Sequence, residues 1–518
     1  MSKKQKVESP AVNKVSKVEE TSQADARTAT SNDTAGSTRV ASTSKRSPRW
    51  LSRTAMLSGI LAFLFFVLTP LLPVKQVQSS FDWPQNGSLN SVNAPLISLA
   101  PESMDLTIPL SVTDALNPNQ TNILSTLPQD STEALDRGLF ITVPEDGGLT
   151  VSSLNEVIFE LTPAELDKAR KAEDAALHLS ATGDGIAVEV PGTDFAEETD
   201  EDMRPQLTGI YSELSEEQAQ ELIDAGLTAH VDINSRFTSE PTAVKWLAMI
   251  GGTLSAIVAL WSLARLDLLD GKRLRPLRKE WRSFKPLDAV VVGLLLFWHF
   301  FGANTSDDGF LLTMARVAND SDYMANYYRW YGVPESPFGA PFYNLLSLLA
   351  KVSTASAWMR IPTLLSGITI WWVLSREILP RLGRSIATRR VAYWTAAFMF
   401  LAFWMPYDNG LRPEPVIALG TIVTWASFES AIASRRLLPA AFGTVFAAFT
   451  LACGPTGLTA VGVFLVCLPH LLRIVRERTS IAPQGAFVLP FLGLGFAVMI
   501  PVFHDQTCLL YTSDAADE

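Results

Sequence analysis

Residues 289–310 read AVVVGLLLFWHFFGANTSDDGF. The first part, Ala289 to Phe301, has no Asp, Glu, Lys or Arg and is apolar enough to read as a membrane span. The second part sets Asp307 and Asp308 side by side just beyond it. Ionised groups inside hydrocarbon are costly, so paired carboxylates at this point mark the mouth of a span. Such a mouth faces both water and membrane-dissolved lipid, which is where a base acting on a lipid-linked substrate belongs.

The rest of the chain repeats the first signal. Of 518 residues 47% are hydrophobic, and apolar runs of spanning length recur, as in a polytopic membrane protein. The net charge of -11 averages two unlike parts. Between Lys75 and Glu240 about thirty acidic residues face about seven basic ones, while the short loops further on are basic. This predicts a soluble acidic domain joined to a membrane body. Three cysteines, none within 75–240, exclude a disulfide framework, and Cys453 and Cys467 lie in apolar runs as small buried hydrophobes.

In order, residues 1–48 are rich in Ser, Thr, Lys, Ala and Glu and predict a disordered cytoplasmic tail. Residues 54–74 predict transmembrane helix 1, ended or kinked by Pro70 and Pro73. Across 75–240, alternating stretches such as Gly138 to Val143 and Gly185 to Val190 have a strand period, and turn residues separate them. Thr162 to Ala175 and Ser215 to Ala225 read as helices. An extracytoplasmic β-sandwich follows. Further apolar runs at 243–264, 288–303, 357–379, 391–406, 415–434, 437–453, 457–472 and 486–503 bring the expectation to about nine spans. If the spans simply alternate from a cytoplasmic N-terminus, every strongly basic loop falls on one side. These are 265–285, the loop with Arg381, Arg384, Arg389 and Arg390, the Arg435-Arg436 pair, and Arg473, Arg476 and Arg478. The acidic domain, the 304–356 loop, Tyr407 to Glu414, Gly454 to Gly457 and His504 to Gln506 fall on the other, extracytoplasmic face.

Three groups of residues on that face carry the chemistry. Two adjacent aspartates cannot both remain anions without help, so one is expected to have a raised pKa and act as a base; capping of a helix that begins near Gly309 is the other reading of the pair. Asn326 to Phe338 is an aromatic run ending in Glu335 between prolines. Trp330 and Tyr331 suit stacking on sugar faces and equally suit an interfacial aromatic belt, whereas Glu335 is harder to assign to a belt. In the loop Tyr407 to Pro415, Arg412 is the sole cation. A guanidinium there suits a polyprenyl-phosphate leaving group, with pairing to Glu414 or Asp408 as the alternative. His504 reads as interfacial. No phosphate-cradling glycine loop, metal-ligand spacing or nucleic-acid surface is present in the sequence, so nucleic acid is not an expected partner.

At this point the motifs resemble a family. Asn304 to Phe310, Met314 to Ala318, Tyr328-Arg329-Trp330 through Phe338, Ser375 to Gly383 and Asn409 to Glu414 look like the actinobacterial cell-wall arabinosyltransferases of the Emb family, the targets of ethambutol. The similarity runs in the same order from the first span to about Thr507. It implies a GT-C membrane body over 243–507 with a catalytic loop at 304–356, and a carbohydrate-binding-like domain over 75–240. It implies transfer of arabinofuranose from decaprenylphosphoryl-arabinose to arabinan of arabinogalactan or lipoarabinomannan at the plasma membrane, with the active site on the extracytoplasmic face. By the resemblance, Asp307 is the catalytic base, Glu335 belongs to the sugar site and is also used by ethambutol, and Arg412 contacts the donor phosphate. Asp308, Glu414, Asn304, Phe310, Trp330 and Tyr331 complete the expected substrate-binding set. Phe310 stands where many members carry tyrosine, and Met314 matches a position associated with resistance. No cofactor is expected for the chemistry; a structural Ca2+ in the extracytoplasmic part, membrane lipid, and a dimer with a second copy or a paralogue are further expectations. Residues 508–518 do not continue the family pattern and are expected to be a non-native tail, with the chain read as the N-terminal half of a longer enzyme. Two other readings stand beside this one: a GT-C transferase using another polyprenyl-phosphate sugar such as mannose, and a transporter or sensor. Against transport, the polar residues gather at one mouth rather than at mid-membrane.

Overall fold

A computed structural model of the chain describes residues 49–93, 101–173, 175–233, 239–271, 279–304, 307–320, 340–407, 409–478 and 491–508. Helix α1 (Arg49–Leu68) runs into a 3₁₀ turn, Thr69–Leu71, where Pro70 ends it. Strand β1 (Val74–Gln76) follows. It is met much later in the chain by β14 (Ser239–Pro241), with Val74 opposite Pro241 and Lys75 opposite Glu240. This short ladder gathers the two linkers of the acidic domain and delivers the chain to helix α2 (Ala243–Leu269), which packs along α1. Gly252 makes the approach close: a Cβ there would lie 2.5 Å from Cε1 of Phe66.

The acidic domain is a two-sheet sandwich. One sheet has six strands, in the order β11 (Ala196–Glu198), β10 (Gly185–Glu189), β9 (Ala176–Thr182), β4 (Ser103–Pro109), β13 (Thr228–Ile233) and β2 (Ser79–Trp83). The other has four: β5 (Asn122–Ser125), β6 (Leu139–Thr142), β7 (Leu149–Ser153) and β8 (Glu156–Leu161). Alternation decides which face is buried: β4 sends Met104, Leu106 and Ile108 inward and turns Asp105 out to solvent. With Trp83, Ile141, Val151 and Val231 these form one core shared by both sheets. The two stretches read as strands are β6 and β10. The first expected helix is shorter than 162–175, covering Pro163–Ala169, because the chain must turn before β9 begins at Ala176. Its N-terminus is a capping box of Thr162 and Glu165. The second is a 3₁₀ turn, Glu216–Gln218, continued by Ala219–Asp224, with the Ser215 hydroxyl accepting from the Glu217 amide. A small fourth pairing, β12 (Gly209–Ile210) on β3 (Val92–Asn93), lies at the edge facing the membrane body.

The body consists of α3 (Pro286–Phe301), α4 (Asp308–Asp320), α5 (Ala340–Ala350), α6 (Ile361–Val373), α7 (Arg390–Tyr407), α8 (Glu414–Ser434), α9 (Leu437–Cys453), α10 (Leu458–Arg478) and α11 (Met499–Phe503). Each expected span is mostly helical in its described residues, but lengths differ: the first is helical only to Leu71 and the third only to Phe301. Among the described residues, four helical stretches are long and apolar enough to cross a membrane: Arg49–Leu71, Ala243–Leu269, Glu414–Ser434 and Pro455–Arg478. Pro286–Phe301, Leu437–Cys453 and Phe491–Phe503 are apolar but shorter. The 357–379 run is interrupted by a π turn at Leu374–Ile378, and the 304–356 segment, read as a loop, contains α4 and α5. Cys453 and Cys467 are buried thiols.

Two buried carboxylates fasten the body at the end that carries the basic loops. Asp267, at the end of α2, accepts the backbone N–H groups of Leu437 and Leu438 at 3.1 and 2.9 Å and pairs with Arg478 and Arg436. Asp288 in α3 accepts from Trp371 Nε1 and Arg376 Nη1, both at 2.8 Å. At the opposite end Lys245, wholly buried, donates to the carbonyls of Leu72 and Gln506.

Candidate active site at the mouth of the span

Helix α3 stops at Phe301, and Gly302 lets the chain pass against the 409–414 loop, since a Cβ there would sit 2.5 Å from Asn409 Nδ2. Asn409 donates to the carbonyls of Trp298 and Ala303, each at 3.4 Å. Arg360, only 4% exposed, sits beneath: its Nη1 donates to the carbonyls of Gly302 at 3.3 Å and Asn409 at 3.4 Å, and its Nε to that of Ser356. Thr363 donates to the Gly410 carbonyl at 2.7 Å. The loop is therefore held from α3 and from the start of α6 before any functional group is placed on it.

The aspartate pair then divides. Asp308 opens α4, is 7% exposed, and its Oδ1 accepts the Leu411 amide at 2.9 Å, within electrostatic range of Arg360. Its neighbour Asp307 has its side chain 48% exposed and lies 3.3 Å from Arg412 Nη1. Arg412 also grips Glu414, with Nη2 to Oε1 at 2.9 Å and Nε to Oε2 at 3.3 Å. One guanidinium thus bridges the open carboxylate of Asp307 and the carboxylate of Glu414. Such a site offers a proton acceptor and an anion holder side by side.

Of the other expected residues, Asn304 accepts from the Ser356 hydroxyl at 3.2 Å, and the Phe310 ring is 41% exposed. Met314 is buried against Leu311, Phe342 and Tyr343. Trp330, Tyr331, Glu335 and Asp408 lie outside the described residues. His504 is near Asp505, away from this constellation in sequence and paired there at 3.3 Å. Among the described residues no three His, Cys, Asp or Glu side chains could hold a metal ion, so no ligand set is assigned to Ca2+. Arg360 was not singled out from the sequence. The signal was present, because a cation inside the apolar 357–379 run needs a local reason to be there. The sandwich meets this site where β3 rests on α4.

Fold and site together define a GT-C-type membrane protein with an extracytoplasmic concanavalin-like domain. Residues 240–515 match the family model described as "Mycobacterial cell wall arabinan synthesis protein", and residues 75–236 match "Arabinosyltransferase concanavalin like domain". The chain belongs to this arabinan-synthesis family. It is 43% identical over 470 residues to "Probable arabinosyltransferase C" of Mycolicibacterium smegmatis, covering 88% of this chain and 43% of that protein. With "Probable arabinosyltransferase B" of Mycobacterium avium it shares 42% identity over 470 residues, 89% of this chain and 43% of that one. The cryo-EM structure of arabinosyltransferase EmbB from Mycobacterium smegmatis superposes with a TM-score of 0.58 at 37% identity, over 91% of this chain and 46% of that chain. The chain spans under half the length of these relatives.

Proposed function

We propose that the chain carries the catalytic mouth of an arabinosyltransferase that moves arabinofuranose from decaprenylphosphoryl-arabinose to a growing arabinan. The observation that carries this reading is the half-exposed Asp307 within 3.3 Å of Arg412, at the end of an apolar helix. Asp307 takes the proton of an acceptor hydroxyl as that oxygen bonds to the anomeric carbon. On the opposite side the bond from that carbon to the phosphate oxygen breaks, so the product is inverted and polyprenyl phosphate departs. Arg412 meets the departing phosphate, which displaces both Asp307 and Glu414 from the guanidinium as the acceptor hydroxyl takes up Asp307. The step needs no metal or redox group, since the proton has an acceptor and the leaving charge has a cation.

The same proposal includes about nine spans. The shorter helices α3, α6, α7 and α9 and the stretch Phe491–Phe503 cross beside the four long ones. The orientation is supported by two sets of contacts. Asp267, Arg436 and Arg478, from three basic segments, meet at one end of the bundle. Near the other end β1 pairs β14, and β3 meets α4. Sugar nucleotides are cytoplasmic, so a site on the outer face requires a lipid-linked donor. The test is the purified chain in liposomes containing decaprenylphosphoryl-arabinose and an arabinofuranosyl acceptor. Asp307→Asn should lower transfer by roughly 10²-fold or more; transfer at the wild-type rate would remove the base. A mannosyl-phosphate lipid should not be consumed in place of the arabinosyl donor.

A further inference from the structure

We propose that Asp308, Arg360 and Thr363 are positioning residues for the transfer step: they set the separation of the base Asp307 and the anion holder Arg412 without touching donor or acceptor. This inference deepens the transferase reading and rests on it. It moves Asp308 out of the substrate-binding set in which the resemblance put it.

The geometry turns on a hydrogen bond one residue removed from both reacting groups. Asp308 follows Asp307, Leu411 precedes Arg412, and Asp308 Oδ1 accepts the Leu411 amide at 2.9 Å. The inner contact between 308 and 411 therefore ties together the backbone on which Asp307 and Arg412 stand, their side chains 3.3 Å apart. Asn409 to Leu411 lie between α7 and α8, outside any helix, so their backbone groups need partners from elsewhere in the fold. Three consecutive residues find them in buried side chains: Arg360 donates to the Asn409 carbonyl at 3.4 Å, Thr363 donates to the Gly410 carbonyl at 2.7 Å, and Asp308 accepts from Leu411. Thr363, Arg360 and Asp308 are 3%, 4% and 7% exposed, whereas the side chains of Asp307 and Arg412 are nearly half open to solvent. The open pair thus takes its spacing from the closed brace behind it.

Charge supplies a second argument. Arg360 and Asp308 are buried opposite charges within electrostatic range of each other. Such a pair adds little net stability, and well-packed apolar residues often replace one without loss. What it adds here is direction, because one guanidinium donating to the carbonyls of Ser356, Gly302 and Asn409 permits a single arrangement of those three segments. A base and an anion holder placed before charge develops need not reorganise while the bond to the phosphate breaks.

The experiment compares the full chain in liposomes, supplied with decaprenylphosphoryl-arabinose and an arabinofuranosyl acceptor, as wild type, Arg360→Lys, Asp308→Asn, Thr363→Val and Thr363→Ser. Lysine keeps the charge but cannot bond three carbonyls, and asparagine keeps an acceptor oxygen but removes the charge facing Arg360. Thr363→Val keeps the side-chain shape, so it reports on the loop even where a charge variant fails to fold, and Thr363→Ser restores the hydroxyl. In the two charge variants kcat should fall roughly 10- to 100-fold, and in Thr363→Val about 10-fold, with Thr363→Ser near wild type. Made in an Arg412→Lys background, the same substitutions should cost less than about threefold, because they act through Arg412. Amide exchange across residues 409–412 should quicken about tenfold in each loss variant while strand β4 of the sandwich exchanges as in wild type. A raised donor or acceptor KM with unchanged kcat in Asp308→Asn would make Asp308 a substrate ligand and overturn the proposal. Losses that multiply with that of Arg412→Lys, or faster loop exchange at wild-type kcat, would leave only a structural role and overturn it too. If Asp307→Asn abolishes transfer while Arg360→Lys and Thr363→Val transfer at the wild-type rate, the transferase reading stands and the positioning role falls. If Asp307→Asn itself transfers at the wild-type rate, the transferase reading fails and the positioning role goes with it.

Discussion

Adjacent aspartates look interchangeable in the sequence, and their surroundings make them different. Asp308 is turned inward to the Leu411 amide, while Asp307 is half open to solvent and faces Arg412. The pattern showed that a carboxylate at this mouth mattered; which of the two stays accessible depends on a loop a hundred residues away in the chain. Arg412 shows the same dependence: of the two pairings weighed for it, the one with Glu414 is made through two nitrogens, Asp408 lies outside the described residues, and the third nitrogen meets Asp307, a partner the sequence did not suggest. Lysine keeps the charge but cannot span both partners. Arg412→Lys should therefore reduce transfer by roughly 10- to 100-fold, as expected for losing a charge-assisted bidentate contact. A smaller effect on acceptor KM than on donor KM would mark the loss as belonging to the phosphate side.

At the scale of elements, buried ion pairs set how the helices meet. Asp288 and Arg376 are both almost completely buried, and Arg376 stacks over Trp372 with its guanidinium carbon 3.8 Å from the ring centre. Asp288→Asn keeps the shape and removes the charge, leaving the guanidinium uncompensated. The expected destabilisation is about 3–5 kcal/mol, read as an earlier thermal transition or a lower monodisperse yield in detergent. In the sandwich, His230 on β13 lies between Asp82 on β2, at 2.6 Å, and Asp232, at 3.5 Å. The hydrogen bond to Asp82, followed by the charges of Asp82, Asp232 and Asp105, raises its pKa above the usual 6.5 despite an opposing burial effect. The stabilisation is therefore complete below about pH 6.5 and is lost as pH rises through the raised value. Because both partners are largely exposed, it amounts to less than about 1 kcal/mol. Tryptophan-fluorescence melting of the full chain should show a slightly lower transition at about pH 8.5 than at about pH 6, and His230→Gln should abolish that difference.

For the whole molecule, orientation is the property on which function depends. The basic ends of α2, α9 and α10 meet through Asp267, and the sandwich touches the body at α4, the helix that Asp308 opens. With Cys453, Cys467 and Cys508 replaced, a single cysteine at position 307 should react with a membrane-impermeant maleimide added outside intact cells, and one at position 436 only after permeabilisation. Labelling of position 307 solely from the cytosolic side would leave the proposed reaction without its donor.

Much of this architecture follows from periodicity and charge alone. Period-two alternation marked β6 and β10, and apolar runs marked the helices of the body, because each is a local pattern governed by burial. The motif residues Asp307 and Arg412 were equally visible, since charge beside an apolar run is conspicuous. Tertiary structure alone decided that Asp307 and not Asp308 is open, that Arg360 underpins the loop, and that, among the described residues, four helical stretches have full spanning length. Those outcomes depend on partners distant in the chain, and no local pattern encodes which distant groups a folded backbone will bring within 3 or 4 Å.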